Sequence, residues 1–148
     1  MIRIAPIVAA VLAFIALPSR ADCLDDAAAF HRVNPRLLRV IAQHESGMRP
    51  NAVNRNSNGS EDIGLMQINT SWLPTLARYG IRREHLFNGC VSAYVGAWIL
   101  ASNVRRFGPN WKAVGAYNAV TPSKQLVYAS AIYRRFMGWL QNSEKIVR

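Results

Sequence analysis

Eight carboxylates lie beyond residue 21 of the 148-residue sequence: Asp22, Asp25, Asp26, Glu45, Glu61, Asp62, Glu84 and Glu144. Only Glu45 falls on an apolar face. It sits in the stretch VIAQHESG, Val40 to Gly47. An angular step of about 100° per residue places Leu38, Ile41, Ala42 and Glu45 on one side of a helix. Arg36, Arg39 and Gln43 fall on the other. A carboxyl taken out of water resists ionisation, so its pKa rises and it keeps its proton near neutral pH. Such a group is a general acid, and glycoside cleavage needs one to protonate the leaving oxygen. A glutamate paired with an arginine at a helix end would occupy the same position for structural reasons alone, and position by itself leaves both readings open.

Other chemistries find no residues to carry them. His44 to Met48 (HESGM) begins like the zinc-protease helix motif but has Met48 where the second histidine belongs. His31, His44 and His85 show no ligand spacing, so no metal site is expected. There is no Gly-x-Ser-x-Gly nucleophile motif and no Gly-rich phosphate loop. Neither cysteine stands in a nucleophile motif. No cofactor is expected.

Three short stretches occur in order: Glu45-Ser46, GLMQIN at Gly64 to Asn69, and AYNA at Ala116 to Ala119. Together they resemble the three motifs of the family 1 soluble lytic transglycosylase domain, over about residues 24 to 140. The resemblance implies a mainly α, lysozyme-like fold with a small loop or β-hairpin insertion carrying part of the active site. It implies that Glu45 is the sole acid/base. Glu45 would protonate the bond between N-acetylmuramic acid and N-acetylglucosamine, then take a proton from the C6 hydroxyl, leaving a 1,6-anhydromuramoyl end with no water consumed. Gln67, Tyr117 and Asn118 would hold the sugar and the glutamate, with Ser46, Gly64 and Met66 counted among the substrate-binding motif residues. Each has a structural reading beside this one. Met66 and Ile68 suit a core, Gln67 must satisfy its amide in any case, Tyr117 suits a core aromatic with a bonded hydroxyl, and Asn118 suits a helix end.

The segment from Glu45 to Asn69 also resembles the active-site stretch of chicken-type lysozymes. An Asn-Arg-Asn hairpin (Asn54 to Asn56) is followed by Gly59-Ser60, Asp62, Gly64 and Gln67-Ile68-Asn69. Asp62 stands where that family keeps its second catalytic carboxylate. It would stabilise an oxocarbenium-like transition state or act as a nucleophile; a turn aspartate bonded to nearby backbone N–H groups is the plainer alternative. The two resemblances imply one scissile bond and two products, an anhydro end or a hydrolysed one. A small single domain without wall-binding repeats is similar to the specialised enzymes that accompany secretion, pilus or conjugation machines. The expected partners are peptidoglycan glycan strands and components of such an apparatus. A catalytically inert wall-binding adaptor and a basic nucleic-acid binder are the competing classes.

The elements that must position these residues follow from pattern. Asp25 to Arg32 reads as a short helix. Asn34-Pro35 is an N-cap followed by proline at the first helical position, and the helix runs to Ser46 with Gly47 as its stop. Arg49 to Asp62 is polar and reads as a loop, with a hairpin around Asn56 to Gly59. GLMQIN leads into a short helix that closes at Gly80. A long helix spans Cys90 to Phe107, with one row traced by Tyr94, Val95, Trp98, Ser102 and Arg105 and the apolar face broadened by Val91, Ile99 and Val104. Trp111 to Asn118 is helical, Val120 to Ser123 breaks the chain, and Gln125 to Leu140 forms the last helix before a polar tail.

Arg3 followed by the apolar run Ile4 to Leu17 and Ser19-Arg20-Ala21 reads as a signal peptide cleaved after Ala21, leaving residues 22–148 as one exported, periplasmic domain, a monomer with no membrane anchor. In that oxidising compartment Cys23 and Cys90 are expected to form a disulfide rather than two buried thiols. Eighteen Lys and Arg residues, less Arg3 and Arg20, oppose eight acids. That excess suits a polyanionic partner, and export points to the wall rather than nucleic acid.

Overall fold

Asn34 does what its position before Pro35 requires: its side chain accepts hydrogen bonds from the N–H groups of Arg36 and Leu37 at the head of helix α2 (Pro35–Ser46). The same device recurs. Asp22 caps α1 (Cys23–His31), Asn88 caps α4 (Gly89–Phe107) and Asn110 caps α5 (Trp111–Asn118). A one-turn helix α3 (Leu73–Leu76) and the last helix α6 (Pro122–Ile146) complete the helical set. The structure, a computed structural model, describes residues 22–146, with side chains as far as Asn142. The expected signal peptide and its cleavage after Ala21 lie outside the described residues.

Between α2 and α4 the chain forms an antiparallel three-stranded sheet in the order β1 (Val53–Arg55), β2 (Glu61–Ile63), β3 (Ile68–Asn69). The fold is therefore mainly α-helical with a small β insertion, as in lysozyme-like folds. The hairpin expected around Asn56 to Gly59 joins β1 to β2. The third strand was not expected: two residues are too few to show a period. Ile63 and Ile68 pair across the sheet and are both buried, which fixes the register.

Helix α4 is the axis of the molecule. Helices α1 and α5 pack on it, α6 packs on α5, and α2 packs on α1 and α6. The face expected along α4 is right in part: Val95 and Ile99 are buried, but Tyr94 is at the surface, and Ser92, Ala93, Gly96, Ala97, Leu100 and Ala101 are buried as well. A helix covered on most sides has no single stripe to read. Helix α6 is longer at both ends than expected. Pro122 does not break the chain but opens the helix, the position where its missing N–H costs nothing.

The disulfide joins Cys23, the first residue of α1, to Cys90 in the first turn of α4, with Cα atoms 5.0 Å apart. It closes a span of 67 residues that contains α1, α2 and the whole sheet. Arg39 ties α2 to α1 through Asp22 and Asp25 at 2.6 and 2.8 Å. No helix among the described residues is long and apolar enough to cross a membrane.

Candidate active site

Leu38, Ile41 and Ala42 are fully buried, so the predicted stripe of α2 does face the core. Glu45 continues that stripe one turn further, where the core gives way to a cleft, and is half-buried. Burial pushes its carboxyl up to about 7; a hydrogen bond from the Tyr128 hydroxyl pulls it down, and the Asp62 charge pushes it up again. Tyr128 comes from α6, is itself buried, and donates to Glu45 Oε1. Its own ionisation is driven far above the usual phenol range by burial and by Glu45, so it stays a donor at any working pH. With Oε1 taken as an acceptor, the proton of the neutral acid is left to Oε2.

The segment Gly64–Asn69 is anchored from three helices. Ser46 Oγ on α2 donates to Leu65 O at 2.7 Å, Ser92 Oγ on α4 accepts from Met66 N at 3.0 Å, and Tyr117 Oη on α5 donates to Met66 O at 2.9 Å. Gly64 has a φ of 80°, and a Cβ there would lie 2.1 Å from the Leu86 carbonyl oxygen. Only glycine lets the two backbones approach so closely. The Met66 side chain is fully buried against Gly96, where an added Cβ would meet it at 2.8 Å. These anchors force Gln67 into a left-handed backbone, φ 49°, which costs a non-glycine residue on the order of 1 kcal/mol. Its Nε2 donates to the carbonyls of Gly64 and Ala52 at 3.0 and 3.3 Å, so the side chain is held from behind while it lines the cleft.

Asp62 lies on β2 opposite Asn69 of β3 and Asn54 of β1. Its Oδ1 accepts from Asn69 Nδ2 at 2.7 Å and its Oδ2 from Asn56 Nδ2 at 2.9 Å. Both amides also donate to Ser60 Oγ at 3.0 Å. The carboxylate is thus gripped by two side-chain amides, not by the turn backbone that the plainer sequence reading supposed.

Glu45 and Asp62 line one cleft of about 580 Å³, together with Gln67, Tyr117, Asn118 and Lys124. Five of the eight predicted catalytic and binding residues therefore meet there. Ser46, Gly64 and Met66 stand behind the wall, and what they contribute is the position of Gln67. The sequence reading missed Tyr128, which looks like any core aromatic of an amphipathic helix. It also missed Lys124, which sits just ahead of the helix start then expected. Asn56 and Asn69 were visible as motif letters, but nothing local shows that they converge on one carboxylate.

The family model for the transglycosylase SLT domain matches residues 22–130. The chain is 42% identical over 131 residues to protein IpgF of Shigella flexneri, covering 85% of this chain and 86% of that one. It is 40% identical over 133 residues to an X polypeptide of Escherichia coli, covering 85% and 78%. It is 43% identical over 106 residues to invasion protein IagB of Salmonella typhimurium, covering 71% and 66%. The chain belongs to the transglycosylase SLT family, lysozyme-like proteins that act on peptidoglycan-like glycans.

Proposed function

We propose that this protein is an exported lytic transglycosylase that cuts the β-1,4 bond between N-acetylmuramic acid and N-acetylglucosamine with Glu45 as its acid/base. The observation that carries the reading is the Glu45–Tyr128 pair: a half-buried carboxyl, raised by burial to about 7, at the wall of the cleft. Protonated Glu45 gives its proton to the leaving glycosidic oxygen as the C1–O4 bond breaks. The ionised Glu45 then removes the proton of the C6 hydroxyl while O6 closes onto C1. The acid is regenerated, the anhydro ring has formed, and no water has entered.

Asp62 supports the cationic sugar by charge. The grip of Asn56 and Asn69 on both its oxygens favours this fixed electrostatic role over attack on C1, and so favours the transglycosylase over a hydrolysing muramidase that uses Asp62 as nucleophile. The hydrolase remains the second reading, because the Asp62 charge reaches Glu45. Likeness to an invasion protein supports local wall opening for a secretion, pilus or conjugation machine as the task. Mass spectrometry of digested peptidoglycan decides. Anhydro ends are the expected result; reducing ends would make it a hydrolase, and an undigested wall would make it a binding adaptor.

A further inference from the structure

Lys124 is the one cation among the described residues lining the cleft, whose other polar contributors are Glu45, Asp62 and a set of amides and hydroxyls. A neutral sugar chain would be held by the amides and hydroxyls alone. Among the described residues no carboxylate lies within ion-pair distance of Lys124. Glu45 is raised to about 7 by burial and already accepts from Tyr128, and both oxygens of Asp62 are occupied by amides.

The position of Lys124 is built rather than incidental. It stands in the first turn of α6, directly before Gln125, whose buried side chain donates to the carbonyls of Ala119 and Val120 at 3.0 and 3.2 Å. The backbone of Gln125 lies so close to Gly115 that a Cβ there would meet its carbonyl oxygen at 2.4 Å. The corner between α5 and α6 is therefore locked, and with it the backbone that carries the exposed Lys124 side chain. Lys124 and Asn118 also line a second cavity of about 440 Å³, bounded by His44, Ser123, Val127 and Tyr128. This cavity adjoins the Glu45–Tyr128 pair from the α6 side. His44 brings no competing charge, since burial and Arg135 hold its pKa below the usual value.

We propose that Lys124 marks a side subsite: it binds a carboxylate carried on a side arm of the sugar, which leaves the cleft between Asn118 and Lys124 and rests in the second cavity. The proposal rests on the glycan reading of the cleft and names the substituent that reading leaves open. Two arms could supply the carboxylate, the lactyl ether of muramic acid itself or a peptide attached to it.

Binding, measured by calorimetry in a Glu45→Gln background to block turnover, tests this. Three muramoyl tetrasaccharides serve as probes: one with free lactyl carboxylates, one with those carboxyls converted to neutral methylamides, and one carrying peptide stems. At low salt a charged probe should bind about 5-fold more tightly than the methylamide, the scale of a single exposed ion pair. The charged probe that shows the preference identifies the arm. Lys124→Gln should erase the preference, Lys124→Arg should keep it, and added salt should weaken it. Equal affinity for charged and neutral probes, or a preference that survives Lys124→Gln, would overturn the proposal. Turnover by the wild-type protein is scored separately. Its absence would sink the transglycosylase reading while leaving a charge-selective binding result standing.

Discussion

Glu45 is an acid that the fold keeps at some expense. Between its ordinary pKa of 4.5 and the folded value of about 7 the native state holds more protons than the unfolded chain. Stability therefore falls as pH rises through that window, by at most about 3 kcal/mol once both states are ionised. Glu45→Gln removes the effect. Thermal melts should show the variant equal to the wild type near pH 4 and more stable near pH 8, while its turnover falls about 10²-fold or more. Wild-type activity should decline above about pH 7 as the acid is lost. A flat pH–rate profile there would exclude Glu45 as the proton donor. Asp62→Asn is a harsher change than its size suggests. Both oxygens accept from amides, so one Asn Nδ2 would face another donor. It should cost about 1–3 kcal/mol of stability and lower kcat more than it raises KM. Asn56→Ala is the control. It loosens the same oxygen without removing charge, and it should retain most of kcat in steady-state assays.

At the scale of elements, the parts that local chemistry dictates could be read from the sequence. Helix α2 was legible end to end because Asn34, Pro35 and Gly47 are its own start and stop signals. Helix α5 was legible for the same reason, between Gly108-Pro109 and Asn118. What could not be read depends on partners distant in sequence. β3 exists only because β2 lies beside it, and α4 hides its apolar face by being covered on most sides. The Asn56–Asp62–Asn69 cluster requires three strands in register. The motif residues divide along the same line. Glu45 is marked by its helical face, whereas Met66 is open in the sequence between site and core, and the structure sets both Ser46 and Met66 behind the cleft wall. Gly64 is the keystone of that brace. Gly64→Ala should destabilise by at least about 2 kcal/mol in denaturant titrations, since the backbone of Leu86 leaves no room for a methyl group and φ is positive.

For the molecule as a whole, the Cys23–Cys90 bridge closes its 67-residue span and should contribute about 4 kcal/mol in the chain-entropy model. Melts with and without reductant should differ accordingly, and thiol labelling of the unreduced, denatured protein should find neither sulfur reactive. The bond between Tyr128 and Glu45 has a different reach: its partners stand 83 residues apart in the chain. A nascent chain that has made α2 but not yet α6 lacks both the Tyr128 donor and the share of burial that α6 gives Glu45, so this carboxyl lies closer to an ordinary solvated one. On the proposed reading, the acid is therefore complete only when the last helix docks. A chain cut short before Tyr128 would keep every one of the three sequence motifs and lack the hydroxyl that donates to Glu45.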